Sequence, residues 1–203
     1  MQLSLTVIII IITVLASLYA WNNQTVMSNW MMNPYRTDQR REYWRFITSG
    51  LIHNDYMHLF FNMFTLYFFG KILEWQLGAI LFVILYLVGI IVSDVPTFFK
   101  HKKNPYYNSL GASGGVSAIV FASILLRPLS PLYLFFIPVP IPGFIFGAIY
   151  MFYSYYQAER GGDNINHDAH LYGALFGILF TIVAIPSALP NFFEQVSNWN
   201  LFN

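Results

Sequence analysis

There is no cysteine in this chain, which excludes disulfides, thiol catalysis and thiolate metal sites and leaves the redox compartment unencoded. Charge is almost as scarce. Only 9% of the 203 residues are charged, where a soluble domain carries about a quarter, so there is too little charge for an ordinary water-facing surface. The net charge of +1 gives no reason to expect nucleic acid or an acidic partner. Ligands for metal chemistry are missing too. H-E-x-x-H does not occur, and five histidines, with His101 in a lysine-rich loop, are too few for a histidine-rich di-iron site. The string GGDN at residues 161–164 is not G-x-G-D, and no second intramembrane aspartate exists for an aspartyl dyad.

What is abundant is apolar sequence. Hydrophobic residues make up 57% of the chain, the mean hydropathy is +0.53, and the apolar residues come in blocks long enough to enter a bilayer. The expectation is an integral membrane protein with one all-α domain over residues 1–203, because lipid offers no partner to unpaired backbone groups. Six spans are expected, near residues 3–19, 56–73, 77–93, 111–126, 141–156 and 166–185. The first could be taken for a signal peptide, but Met1-Gln2 lacks a positive n-region and no small-x-small site follows, so it reads as a retained span. A polar stretch, residues 21–55, separates it from the second. Pro138, Pro140 and Pro142 break the fifth apolar segment, so its helix is expected to start near Ile141 or Pro142. No internal repeat or second soluble domain is evident.

Counting spans brings chemistry together. The even-numbered helices run in one direction, so their N-terminal ends share a face of the membrane. His58 opens the second span, Ser113 the fourth, and His170 lies in the first turns of the sixth. Ser113 sits in GASGG, where Gly111, Gly114 and Gly115 can serve close helix packing. The string also matches G-x-S-x-G, although that nucleophile elbow needs a preceding strand that is not expected here. Both readings stay open on the motif alone. Gly173 and Gly177 give the sixth span a small-residue face one turn beyond His170, so packing against the fourth would bring imidazole toward hydroxyl. His167, three residues earlier, is the other histidine on that face. A Ser–His pair suffices for nucleophilic catalysis, and Asp168, two residues from His170, points elsewhere, which makes this a dyad. His58 and Asn62 are four apart on one helical face, where both can donate to an oxyanion alongside the Ser113 backbone N–H.

Together these residues resemble the rhomboid family of intramembrane serine proteases. The motifs fall in that family's order between Trp44 and Gly177: Trp44-Arg45, His58-x-x-x-Asn62, Gly111-x-Ser113-Gly114, and Ala169-His170-x-x-Gly173-x-x-x-Gly177. The Gly70–Glu74 exit of the second span is also similar, and the six-span length resembles the minimal bacterial form. The resemblance implies cleavage of other proteins' transmembrane segments in or near the bilayer, with no metal or cofactor. It implies Ser113 as nucleophile and His170 as general base. His58, Asn62 and the Ser113 amide would form the oxyanion hole, with Gly111, Gly114, Gly173, Gly177, Trp44 and Arg45 in structural roles. It further implies a lateral gate between spans five and two, with Phe61, Phe144 and Phe146 as gate residues and Gly161-Gly162 as the hinge of a cap. Two departures stand out. Ser117 occupies a position where some relatives stack an aromatic on the catalytic histidine, and Tyr172 stands where a small residue is common, with bulk to reshape the site.

Other readings predict different features. A rhomboid-like binding protein would need neither Ser113 nor His170, and a transporter would need polar residues through the full depth of the helices. Orientation is contested by two rules. Arg36, Arg40, Arg41, Arg45, Lys100, Lys102, Lys103 and Arg160 lie on the dyad side against Lys71 and Arg127 opposite, which by charge alone puts the dyad face in the cytoplasm. The family orientation is the reverse, with the site open to the outside of a bacterial inner membrane, and it is followed here because a folded first loop can mask these cations. A topology reporter fused after Asn203 is therefore expected in the cytoplasm, and a C-terminus found outside overturns this orientation.

Overall fold

The computed structural model describes residues 4–134, 137–160 and 165–200. Among them are ten α-helices and one hairpin. In chain order these are α1 (Leu5–Trp21), α2 (Gln24–Trp30), α3 (Pro34–Arg40), α4 (Arg45–Thr48), α5 (Tyr56–Leu77), α6 (Ala79–His101), α7 (Ser113–Leu126), β1 (Pro131–Leu134), β2 (Ile137–Pro142), α8 (Gly143–Arg160), α9 (His167–Ala184) and α10 (Ala188–Ser197). The apolar blocks α6 and α9 are long and apolar enough to cross a membrane, while α1 and α7 are apolar but shorter.

α7 is the axis of the bundle. Every residue from Gly114 to Leu125 is buried, and α9, α6, α5 and α8 all pack on it, α9 most extensively. Glycines make this possible. A methyl group at Gly173 would run into the Gly114 carbonyl, and one at Gly177 into the Ala118 carbonyl. The two contacts keep the same sequence offset, so α7 and α9 run parallel and in step. Two glycines near the head of α7 each weaken a helix by about 1 kcal/mol relative to alanine, a cost that close packing on three sides offsets.

The other elements differ from the sequence expectation in instructive ways. α6 continues to His101, well past the end of the apolar run and through Pro96. Tertiary contacts extend it: Phe98 is buried, Ser49 Oγ donates to Asp94 at 3.3 Å, and Thr97 Oγ1 donates to Asn166 Oδ1 at 3.0 Å. The proline-broken segment holds an antiparallel hairpin, which an all-helical expectation did not include. Pro138 and Pro140 fall where the register shifts between the Leu132–Ile141 and Leu134–Ile137 pairs, an irregular place that tolerates residues without an N–H, while the Gly143 N–H donates to the Ser130 carbonyl at 3.1 Å. Helix α8 begins directly after this, at Gly143. The start of α1 is capped by Ser4 and, from α5, by Glu74, whose carboxylate accepts from Leu5 N at 2.7 Å and Thr6 N at 3.0 Å. An acid at a helix N-terminus meets both the free N–H groups and the positive end of the dipole.

The polar stretch after α1 is a folded unit rather than a loose loop. Arg45 is fully buried at its centre. Its Nε donates to Glu42 Oε2 at 2.6 Å, and Nη1 donates to the carbonyls of Met31 at 2.6 Å and Ser28 at 3.0 Å. Arg36 reaches the same carboxylate at 3.4 Å, and Lys100 pairs with Asp168 at 2.8 Å, so three of the cations on this face carry acidic partners. Burial alone would raise the Glu42 carboxyl, but the two guanidinium groups outweigh it and hold it below the usual carboxylate range. Trp44 departs from the packing role expected for it. It is 53% exposed at the start of α4, so the buried anchor of the pair is Arg45 alone.

Removing one partner of a buried, hydrogen-bonded ion pair strands the other. Arg45→Ala is expected to cost about 3–5 kcal/mol of stability, with Arg45→Lys recovering only part because it cannot fork between carboxylate and carbonyls. Thermal unfolding in detergent measures this, and an unchanged midpoint for Arg45→Ala overturns it.

Candidate active site

The turn that delivers Ser113 is built residue by residue. Ser109 exchanges backbone hydrogen bonds with Met32, donating at 3.0 Å and accepting at 2.9 Å. The Gly111 N–H then donates to the Ser49 carbonyl at 2.9 Å. Gly111 has φ of +121°, a left-handed conformation that other residues rarely adopt. There is also no room for a side chain, since a methyl group there would lie 2.7 Å from His58 Nε2. The imidazole of His58 thus lies across the turn two residues before Ser113. Ala112 N–H donates to His53 Nε2 at 3.2 Å, and α7 starts at Ser113 with no side-chain cap. The Ser113 N–H is one of the unsatisfied donors at that helix head.

His53 is a residue whose part in the site the sequence did not signal. It is fully buried, and its ring meets His58 edge-on with centroids 4.9 Å apart. Because Nε2 accepts from Ala112, the proton of the neutral ring resides on Nδ1, which faces Ser17 Oγ at 3.2 Å, while Ser17 donates to the Leu51 carbonyl at 3.3 Å. Burial, aided by the nearby His58, pushes this imidazole down to about 3. His53 is therefore a fixed acceptor that ties the turn before Ser113 to α1.

The other site residues come from α5 and α9. His58 is half-buried and Asn62 is buried one turn below it, with Asn62 Nδ2 donating to the His58 carbonyl at 2.9 Å. That bond uses one of two amide N–H groups and leaves the other as a donor. On α9, the N-cap Asn166 accepts from Ala169 N at 3.1 Å. The in-step packing of Gly173 on Gly114 and Gly177 on Ala118, carried one turn back, sets His170 level with the Gly111–Ser113 turn. Ser113 and His170 are both half-buried. Asp168 is engaged by Lys100 at 2.8 Å. A pocket of about 10 Å³, the scale of one water, adjoins Ser113 and is lined by Ser93, Asp94, Ser109, Asn166 and Ala169. Asp94 in this pocket is the buried acid of α6, beyond the end of the apolar run and so outside the sequence-derived site.

Ser117 resolves one of the two departures. Its hydroxyl lies 2.9 Å from Tyr150 Oη in a hydrogen bond, and the Tyr150 ring faces His170 with centroids 6.1 Å apart and planes 18° apart. An aromatic does stack on the histidine, but it comes from α8. Tyr172 is 40% exposed on α9 and does not fill the site. Among the expected gate residues, Phe61 is 40% exposed on α5 and Phe146 packs on Tyr150 at 5.8 Å. Phe144 lies at the start of α8, where its N–H donates to the Pro128 carbonyl past the C-terminal end of α7, and it packs on Trp199 at 5.2 Å, which removes it from any gate beside Ser113. Gly161-Gly162 lie outside the described residues.

A family model described as "Rhomboid domain" matches residues 40–187. "RHOMBOID-like protein 12, mitochondrial" from Arabidopsis thaliana is 31% identical over 169 residues, covering 76% of this chain and 50% of the relative. "Rhomboid protease GlpG" from Yersinia pseudotuberculosis serotype I (strain IP32953) is 24% identical over 181 residues, covering 87% of this chain and 60% of the relative. The chain thus spans about half of the first relative and 60% of the second.

The His53 linkage has a definite sign. The unfolded chain takes up a proton at this residue below its ordinary 6.5, and the folded chain does so only near 3. Its effect on stability is absent above 6.5, and stability falls by about 1.4 kcal/mol per pH unit through that window as pH drops. His53→Gln keeps an acceptor for Ala112 but cannot titrate, so its unfolding free energy is expected to lose that slope between pH 6 and 4 (about half the window). Parallel pH profiles for the two proteins overturn the assignment.

Proposed function

This chain belongs to the rhomboid family, and from that premise we propose that it is a six-span intramembrane serine endopeptidase acting through a Ser113–His170 dyad. The observation that carries the reading is the convergence of three helix N-termini. His58 of α5 lies across Gly111, and Gly173 of α9 rests on the Gly114 carbonyl beside Ser113. The spans are α1, α5, α6, α7, α8 and α9.

In this reading Ser113 Oγ attacks the scissile carbonyl while His170 accepts the hydroxyl proton. The carbonyl electrons move to oxygen, where the Ser113 N–H, His58 and the second Asn62 N–H donate to the new anion. As the C–N bond breaks, His170 returns its proton to the leaving amine, and the acyl group remains on Ser113. A water, deprotonated by His170, then attacks this ester and frees the serine. The pocket bounded by Ser93, Asp94 and Asn166 gives such a water a polar place beside Ser113.

Access for substrate follows from packing. α5 and α8 both rest on α7 without forming a closely packed pair with one another, which leaves the side between them as the lateral route. Phe146 of α8, packed on Tyr150, and the exposed Phe61 of α5 are the gate residues in this reading. At 14 residues, α7 is about 21 Å long against a hydrocarbon layer of about 30 Å, and in this reading the shortfall lies at the serine end, which water must reach. A substrate helix must unwind there, because an intact helix keeps its carbonyls in internal hydrogen bonds. The substrates are transmembrane segments of other membrane proteins, and the membrane is assigned as a bacterial inner membrane with the site on its outer side.

A fluorophosphonate probe in detergent tests the dyad. Wild-type protein is expected to label, Ser113→Ala not at all, and His170→Ala more slowly by at least about 100-fold. Equal labelling of all three overturns the proposal.

A further inference from the structure

Tyr150 is anchored at every side. Phe121 packs against its ring at 5.5 Å and Phe146 at 5.8 Å, its hydroxyl bonds Ser117 at 2.9 Å, and its open face meets the His170 imidazole. The separation of 6.1 Å at 18° is an offset-parallel pair within the favourable range for aromatic rings. A second contact completes the bracket. His167 meets His170 edge-on at 5.8 Å, and Tyr153, one turn from Tyr150 on α8, meets His167 edge-on at 5.6 Å.

The orientation of a histidine ring depends on a broad, soft torsion about its Cβ–Cγ bond. A base is competent only when one nitrogen is aimed at the hydroxyl, so ring freedom is lost rate. A flat ring on one imidazole face removes much of that freedom. The tether makes the restraint specific, because Ser117 lies one turn below Ser113 on the same helix. The plane of the base is thereby referenced to the helix that carries the nucleophile. A tyrosine that merely filled volume would not need its hydroxyl at this point, since a buried helical serine can bond its own i−4 carbonyl, as Ser123 does to Ile119.

We propose that Tyr150 is the positioning residue for His170, with Ser117 as its tether. This rests on His170 being the base. Because α8 carries the ring, the base is oriented only while α8 stays docked on α7 and α9.

The test measures kcat, KM and their pH profiles for Tyr150→Phe, Ser117→Ala, the double variant and Tyr150→Leu, alongside thermal stability. Loss of the tether is expected to lower kcat about tenfold with KM unchanged, equally in Tyr150→Phe and Ser117→Ala and no further in the double variant. Tyr150→Leu is expected to lower kcat about 100-fold and to move the pH midpoint assigned to His170, with Tyr150→Phe restoring most of that midpoint. Wild-type kcat and pH profile in Tyr150→Phe and Ser117→Ala overturn the proposal, as does a loss in Tyr150→Leu that only tracks the unfolded fraction. A second measurement needs no turnover. In the Ser113→Ala background, ¹⁵N signals of His170 are expected to report one ordered tautomer with Tyr150 and an averaged ring with Leu, and identical spectra overturn the proposal. If wild type fails to label with fluorophosphonate, the protease reading falls, and the spectra alone decide whether Tyr150 orders the ring.

Discussion

Backbone-to-backbone contact between α7 and α9 is the constraint on which the rest depends. Without side chains at Gly173 and Gly177, α9 lies directly on the Gly114 and Ala118 carbonyls. That proximity fixes the height of His170 relative to Ser113 and allows α7 to be enclosed by its neighbours. In a bilayer, where apolar side chains gain nothing by leaving lipid for protein, such van der Waals closeness is a main source of helix association. The residues that let the helices meet also set how Ser113 and His170 stand relative to one another.

The second organising element is the folded segment between α1 and α5. It concentrates the scarce charge of the chain on one buried guanidinium, Arg45, and so holds the strand-like Met32 segment against Ser109. From there Ser49 and His53 grip Gly111 and Ala112. The turn before Ser113 is thus held by backbone and ring acceptors that do not change charge near neutral pH.

Much of this was legible in the sequence. The span count set the N-termini of α5, α7 and α9 on one face, and the four-residue spacings of His58–Asn62 and Gly173–Gly177 predicted shared faces. Helix limits lie within a few residues of the apolar runs except in α6, where Thr97 and Phe98 carry the helix onward through contacts that no local pattern records. Partners distant in sequence were not legible. Tyr150 joins Ser117 across 33 positions, His53 joins Ala112 across 59, and Ser49 joins Asp94 across 45. A hydroxyl where an aromatic was expected read as a loss. In three dimensions the ring is supplied by another helix and the hydroxyl holds it.

One consequence follows from the complete enclosure of α7. A helix with no lipid-facing side chain cannot respond directly to hydrophobic mismatch, so a thinner or thicker bilayer acts on the outer helices by tilt and leaves α7 to follow the protein around it. The depth of Ser113 is therefore set by its neighbours rather than by the lipid, and sensitivity to membrane thickness should enter through helices such as α8, whose outward face carries Phe152 and Tyr155.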